Sequence, residues 1–209
     1  QGELEEGAEV IVIDPRRTGC ASLPGAEWIP IRPGTDVAMM SAMAWVMITE
    51  GLYDKAFVER SCIGFDREQM PDGREGEESY RDYILGVRDG QPKTPEWAER
   101  ITSVPRDTIA RIAREYATAE AAVLYQGYGM QRRAYGEQVV RAGMALAAIS
   151  GHVGVPGGCA RMAWLAGPPP RATVPPRPWN RVSLIPNSWH TAAISSWAAR
   201  ISPGMGGSG

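Results

Sequence analysis

Short apolar runs alternate with segments of helical periodicity, and each run stops abruptly at a proline or a glycine. Residues 10–13 (Val-Ile-Val-Ile) are followed by Asp14 and Pro15, and residues 121–126 are followed by Gly127. A short, β-branched apolar run is typical of a strand buried in a sheet. Proline and glycine end such strands because proline cannot donate to the hydrogen-bond ladder and glycine favours turns. This alternation constrains the fold more than any other feature.

The remaining elements complete the pattern. Residues 28–31 predict a second strand, in which Pro30 indicates an edge position or a strand end. Helical spacing predicts helices over 37–49, 54–62, 136–150 and 191–201, and two more that begin at Thr94-Pro95 and at Ser103-Val104-Pro105. Asp36 is expected to cap the first of them. Strands alternating with helices predict an α/β fold with a Rossmann-like, doubly wound, mostly parallel sheet and a loop-rich C-terminal part.

Changes in composition divide the chain into four units: 1–62, 63–92, 93–166 and 167–209. The second is charged and poor in aliphatic residues, with the turn signal Pro71-Asp72-Gly73, and is expected to be an exposed insertion. The fourth opens with a proline-rich stretch, 167–178, that predicts an extended loop. The chain starts at Gln1 close to its first strand and closes on a glycine-rich segment. We therefore expect an internal fragment of a longer protein; a small complete domain with a flexible tail is the alternative.

The overall composition excludes several classes of protein. Across 209 residues with mean hydropathy -0.26, no apolar run is long enough to span a bilayer. A formal net charge of -2 leaves no basic excess for binding nucleic acid. The 3 cysteines are far apart and there are only 2 histidines, which argues against a zinc or iron–sulfur site held by this segment alone.

Polar groups follow each predicted strand. Asp14 follows the first strand, Gly34-Thr35-Asp36 the second, and Gly127-Tyr128-Gly129 with Arg132-Arg133 the third. Right-handed crossovers place the carboxyl ends of parallel strands at one edge of a sheet, where ligands bind. A carboxylate such as Asp14 suits a ribose, and Asp36 suits the paired N–H donors of guanine. Glycine amides and a guanidinium suit a phosphate.

Each of these groups also has a purely structural interpretation. Asp14 suits a turn, Asp36 a helix cap, and Gly-Tyr-Gly a tight turn, while Arg132-Arg133 is typical of a solvated surface pair. The fold favours the ligand hypothesis because it brings the three strand ends together. The sequence has no nucleophile elbow, no phosphate-loop lysine and no G-x-G-x-x-G opening, so we predict no catalytic side chain and no metal ligand in this segment.

Several motifs in order resemble the molybdopterin oxidoreductases of the dimethyl sulfoxide reductase family, in particular their catalytic A subunits. The resemblance covers nearly the whole chain and is carried by five segments. They are residues 12–18 (VIDPRRT), 26–36 (AEWIPIRPGTD), 93–98 (KTPEWA), 126–132 (QGYGMQR) and 151–158 (GHVGVPGG).

The resemblance implies a bis(molybdopterin guanine dinucleotide) molybdenum cofactor. In that family the I-D-P-R and G-T-D motifs hold the guanosine end of one pterin dinucleotide, and the glycine–arginine segment lies near the pterin and its phosphates. Unit 1–62 would then be the guanosine-binding half and unit 93–166 the pterin- and phosphate-facing half. Family members usually carry Trp where this chain has Tyr128. The implied cofactor-binding residues are Ile13, Asp14, Arg16, Gly34, Thr35, Asp36, Tyr128, Gly129 and Arg132.

The family's iron–sulfur cysteines and molybdenum ligand lie upstream of this segment, and its last pterin-binding domain lies downstream. We therefore expect no oxygen-atom transfer from this chain alone. The resemblance implies a parent that reduces an S-oxide or N-oxide in anaerobic respiration. Its partners would be an iron–sulfur electron-transfer subunit and a membrane anchor on the periplasmic side of the cytoplasmic membrane. Two alternatives stay open: a stand-alone guanosine-nucleotide-binding α/β domain without redox activity, and a structural remnant without a ligand.

Overall fold

The computed structural model describes residues 8–162, 182–183 and 197–202, with side chains for 8–160. Within this part of the chain a five-stranded sheet has the order β2-β1-β7-β4-β5, and a two-stranded ladder joins β3 to β6. The strands are β1 (Glu9–Ile13), β2 (Ala26–Ile29), β3 (Cys62–Ile63), β4 (Ala121–Gln126), β5 (Cys159–Met162), β6 (Val182–Ser183) and β7 (Trp197–Ser202).

The sheet is mixed rather than parallel throughout. β1 pairs in parallel with β2, placing Ile13 opposite Ile29, and β4 pairs in parallel with β5. β7 lies between these two pairs and runs antiparallel to both β1 and β4. The carboxyl ends of β1, β2 and β4 therefore share one edge, as the sequence predicts, because the reversed strand leaves their common direction unchanged.

β7 corrects one prediction. Helical spacing over 191–201 predicts a helix, yet Trp197–Ser202 is a strand. A strand here supplies hydrogen-bond partners to the facing edges of β1 and β4, and that tertiary requirement outweighs local periodicity. Residues 191–196 and the proline-rich stretch 167–178 lie outside the described residues.

Six α-helices occupy the described part of the chain: five lie at or within a few residues of the predicted positions, and one, Tyr80–Leu85, lies where no helix was predicted. They are α1 (Asp36–Glu50), α2 (Lys55–Ser61), α3 (Tyr80–Leu85), α4 (Pro95–Thr102), α5 (Arg106–Thr118) and α6 (Glu137–Ile149). The predicted helix over 54–62 is shorter than expected: Asp54 is its cap, accepting from Phe57 N at 2.9 Å, and Cys62 already belongs to β3. None of these helices is both long and apolar enough to cross a bilayer.

Helix α1 is the central helix of the core. It contacts α3, α4, α5 and α6, and its four methionines Met39, Met40, Met43 and Met47 are all at most 1% exposed. Unbranched thioether side chains fill irregular space between several helices, which explains their use here. The prediction that these methionines are core residues is confirmed. Because its surroundings are packed on most sides, α1 holds its first residue, Asp36, in a fixed position.

The segment predicted to be an exposed insertion is attached to the core. Phe65, Tyr80 and Ile84 are at most 3% exposed, whereas residues 72–77 are exposed. The exposure expected of the whole segment is therefore wrong at these three side chains: Tyr80 and Ile84 give α3 an apolar face toward α1, and Phe65 packs in the same core. The division of the chain into four units stays a prediction.

Two glycines that end helices offer a matched stability test. Gly51 after α1 and Gly86 after α3 have φ of 70° and 71°, but an added Cβ meets nothing at Gly51 and overlaps the Gln91 backbone at Gly86. We expect Gly51→Ala to destabilise the chain by about 1 kcal/mol through backbone strain. Gly86→Ala should cost at least about 1 kcal/mol more, through the overlap. Urea unfolding of both variants measures the difference, and equal losses would contradict it.

Candidate functional site at the strand edge

The chain turns sharply at the end of β1. Arg16 N donates to Asp14 Oδ1 at 2.8 Å, and Trp28 Nε1 donates to the Asp14 carbonyl at 3.0 Å. Asp14 is therefore a turn residue, and its carboxylate remains partly exposed at the edge of the sheet. Ile13 is 0% exposed and belongs to the core, so only its backbone is available to a ligand. The Arg16 side chain is exposed.

The segment after β2 leads directly into α1. Gly34 has φ of 87°, a left-handed conformation that glycine adopts without strain. Thr35 Oγ1 donates to the Arg32 carbonyl at 2.8 Å. The helix begins at Asp36 itself, and the preceding residue, Thr35, occupies the cap position without a side-chain capping bond. The prediction that Asp36 caps the helix is therefore wrong: its carboxylate is not needed by the helix backbone.

The Asp36 carboxylate is the unusual group of this edge. Its side chain is 0% exposed, and neither Oδ1 nor Oδ2 has a hydrogen-bond partner among the described residues. Burial raises the pKa of Asp36 to about 6, and the nearby Asp14 carboxylate adds to this. Its own backbone N–H and the Arg133 guanidinium act in the opposite direction. An unpartnered buried carboxylate is costly, which makes Asp36 the leading candidate for a ligand contact at this edge.

The loop after β4 carries the third predicted group. A short 3-10 turn spans Tyr128–Met130, and the Arg132 guanidinium lies 4.3 Å from the centroid of the Tyr128 ring. Arg132 also donates to the Tyr128 hydroxyl. Tyr128, Gly129 and Arg132 are all exposed, so this cation–π pair presents a charged and aromatic surface to solvent.

Arg133 was named with Arg132 after the third strand but was missed from the residues that the resemblance implies. It is half-buried, and its Nε donates to the Met130 carbonyl at 3.0 Å. Burial lowers the pKa of Arg133, and the negative charge of Asp36 opposes that effect. The two arginines are adjacent in sequence but face different surroundings, which no spacing rule reveals. The indication in the sequence was the Arg132-Arg133 pair, which follows the glycine loop.

Gln126 was also missed. This last residue of β4 is 1% exposed, and its Nε2 donates to the Val139 carbonyl at 2.7 Å. A side chain on Gly143 would overlap the Gln126 amide, so the glycine permits this close approach. The bond joins the carboxyl end of β4 to α6 and holds both ends of the intervening loop.

The charges of Asp14 and Arg133 both act on the Asp36 carboxyl, Asp14 raising its pKa and Arg133 lowering it. The exposed Tyr128–Arg132 pair belongs to the same loop as Arg133. Among the described residues no group of three or more His, Cys, Asp or Glu side chains could hold a metal ion.

Comparison with known proteins identifies the family. A sequence profile for the molybdopterin oxidoreductases matches residues 2–197. The chain belongs to the molybdopterin oxidoreductase family. Its relatives confirm the resemblance to the dimethyl sulfoxide reductases. Dimethyl sulfoxide reductase DmsA of Escherichia coli is 46% identical over 159 residues, 76% of this chain and 20% of that protein. The dimethyl sulfoxide/trimethylamine N-oxide reductase of Rhodobacter capsulatus is 39% identical over 73% of this chain and 17% of that protein.

A solved structure shows the same fold. Acetylene hydratase from Pelobacter acetylenicus superposes with a TM-score of 0.52 at 28% identity, over 72% of this chain and 18% of that one. The chain thus spans about a fifth of the length of the proteins it matches. Membership of the family implies a molybdenum–molybdopterin cofactor. The unpartnered Asp36 oxygens fit a cofactor that brings paired N–H donors to this edge.

Proposed function

We propose that this chain is part of a molybdenum-dependent S-oxide or N-oxide reductase and holds the guanosine end of a bis(molybdopterin guanine dinucleotide). Its similarity to dimethyl sulfoxide and trimethylamine N-oxide reductases supports the reaction class. The guanosine assignment is carried by one observation, the two Asp36 carboxylate oxygens that are buried without a donor.

Guanine is the base that matches this carboxylate. Its N1–H and exocyclic amine lie side by side and can each donate to one carboxylate oxygen, whereas the corresponding edge of adenine offers one donor beside one acceptor. An ionised carboxylate accepts only, so adenine would place an acceptor against an acceptor. In a site closed to water such charge-assisted bonds are strong, and a mismatch leaves a buried group unpaired.

The neighbouring groups suit the rest of the nucleotide. We assign Asp14, at the end of β1, to ribose hydroxyls, and the Arg16 side chain beside it is exposed. The exposed Tyr128, Gly129 and Arg132 suit phosphate oxygens and the pterin. Because Asp36 is 0% exposed, a base reaches it only after a neighbouring loop moves.

The bound cofactor supplies oxygen-atom and electron transfer at molybdenum, while the residues of this chain bind and orient it. We extend the proposal to the whole protein. It would receive electrons through an iron–sulfur cluster and an iron–sulfur subunit, and would be held by a membrane anchor on the periplasmic side of the cytoplasmic membrane. The Rossmann-like, doubly wound topology is likewise proposed for the complete domain.

Nucleotide discrimination tests the guanosine assignment. We expect the chain to bind GMP more tightly than IMP, and IMP more tightly than AMP, by isothermal titration calorimetry. IMP retains the N1–H but lacks the exocyclic amine, so it keeps one of the two hydrogen bonds. Each lost bond to a charged acceptor should cost about 1.5–3 kcal/mol, or roughly tenfold or more in affinity. Equal affinity for GMP and AMP would refute a guanine site at Asp36.

A further inference from the structure

A buried glutamine at the start of α6 has a side-chain oxygen without a partner. Gln138 lies in the first turn of this helix and is 8% exposed, and its Oε1 has no hydrogen-bond partner among the described residues. We infer that Gln138 is a further cofactor-binding residue, whose Oε1 accepts a hydrogen bond from an N–H donor of the pterin. The ligand in this inference rests on the proposed function, but the unpaired oxygen does not.

A hydrogen bond places the first turn of α6 at the carboxyl end of β4. Gln126, the last residue of β4, donates from Nε2 to the carbonyl of Val139 at 2.7 Å. Val139 follows Gln138 directly in the helix. The Gln138 backbone N–H donates to the carbonyl of Tyr135, in the loop after β4, at 3.0 Å. Gln138 therefore lies at the strand end whose loop carries the groups that we assign to the pterin and its phosphates.

The helix does not use the Gln138 amide. Gly136 occupies the cap position of α6, and no side chain caps the helix. The backbone N–H groups of Gln138 and Val139 donate to the carbonyls of Tyr135 and Gly136 at 3.0 and 3.2 Å, so these first-turn donors have partners already. A buried amide oxygen without a donor costs free energy. In the empty chain Gln138 therefore gives no stability that an apolar residue of its size would not give.

The chemistry of this oxygen selects one part of the cofactor. Ionised phosphate oxygens only accept hydrogen bonds, so they cannot partner an amide oxygen. A pterin ring presents a ring N–H beside an amino group, and either of them can donate to it. The exposed Arg132 guanidinium, which stacks on the Tyr128 ring, remains for the phosphates. The pterin and the phosphates thus have separate partners at this end of β4.

Gln138 can reach a ligand although its Oε1 is closed to water in the empty chain. The neighbouring residues Tyr135 and Glu137 are exposed, and part of Gln138 itself reaches the surface. A glutamine side chain is long and turns about several torsions between staggered rotamers. The amide can therefore turn outward from the first turn without unfolding α6.

Gln126 is the matched control, because it is buried at the same strand end but its amide has a partner. Methionine replaces either glutamine with an apolar side chain of similar length. We expect Gln126→Met to lower the urea midpoint, since it removes the bond to the Val139 carbonyl. Gln138→Met should leave the midpoint unchanged or raise it, because it removes an unpaired polar group. A midpoint lowered as much in Gln138→Met as in Gln126→Met would overturn the inference.

Binding of free pterin to the full 209-residue chain tests the contact. Pterin affinity, measured by fluorescence anisotropy, should fall roughly threefold or more in Gln138→Met. GMP affinity, measured by isothermal titration calorimetry, should stay at the wild-type value. Gln138→Glu keeps the acceptor oxygens and should retain pterin binding. The inference fails if pterin affinity is unchanged in Gln138→Met, or if Gln138→Glu loses as much of it as Gln138→Met does.

NMR of the side-chain amide groups locates the contact. The Gln138 signals are assigned by their loss in Gln138→Met, and they should shift when pterin is added, whereas the Gln126 signals should not. An unshifted Gln138 amide in the presence of bound pterin would contradict the contact. Pterin binding that depends on Gln138 in a chain that binds no GMP would support the inference and refute the guanosine site. GMP binding in a chain that binds no pterin would refute the inference and leave the guanosine site standing.

Discussion

Replacing Asp36 with Asn is expected to weaken GMP binding about a hundredfold and to strengthen AMP binding, because an amide presents one donor and one acceptor that match the adenine edge. The variant keeps one acceptor but turns an amide N–H2 toward a guanine donor. It therefore loses at least one charge-assisted hydrogen bond and gains an unpaired donor. Together these changes cost about 3 kcal/mol of GMP-binding free energy. Isothermal titration calorimetry with both nucleotides measures the two affinities.

Asp107→Asn is the matched control for this substitution. Asp107 also lies in the first turn of a helix, α5, but its side chain is 96% exposed. The control should bind GMP as the wild type does. A similar loss of affinity in both variants would mean that general charge, rather than the Asp36 site, attracts the nucleotide.

The same Asp36→Asn substitution is expected to stabilise the empty chain at neutral pH. Burial raises the pKa of Asp36 from 3.8 to about 6. The folded state therefore holds a proton that the unfolded state releases, and stability declines as pH rises from 3.8 through about 6. This rise in pKa corresponds to a loss of about 3 kcal/mol in the free energy of unfolding, which is complete above about pH 6. Asn cannot ionise, so the stability of the variant does not fall over this pH range.

Denaturant unfolding at about pH 4 and at about pH 7.5 measures this difference between the two proteins. The gain should appear at the higher pH and shrink toward the lower one, whereas Asp107→Asn should show no such pH-dependent gain. A gain of the same size at both pH values would contradict a buried, ionised Asp36. According to these two predictions, Asp36 lowers the stability of the empty chain and raises its affinity for GMP.

Much of the fold follows from local patterns. The strand at residues 121–126 and the helix from Thr94-Pro95 are where the sequence places them, because their signals are local: an apolar run with a glycine stop, and a capping threonine before proline. Thr94 Oγ1 indeed accepts from Trp97 N at 3.2 Å. The strand over 197–202 could not be predicted in this way, because its partners β1 and β4 lie 70 or more residues away along the chain.

The candidate site likewise has features that the sequence indicates and features that only tertiary packing decides. Residue types at the strand ends indicate a nucleotide, and the motifs that contain Asp14 and Asp36 indicate the family, because both depend on local order along the chain. Tertiary packing decides that Asp36 is closed off from water, that its oxygens lack donors, and that the charges of Asp14 and Arg133 act on it. Burial and electrostatic pairing depend on distances between segments that are remote in sequence, and only folding sets those distances.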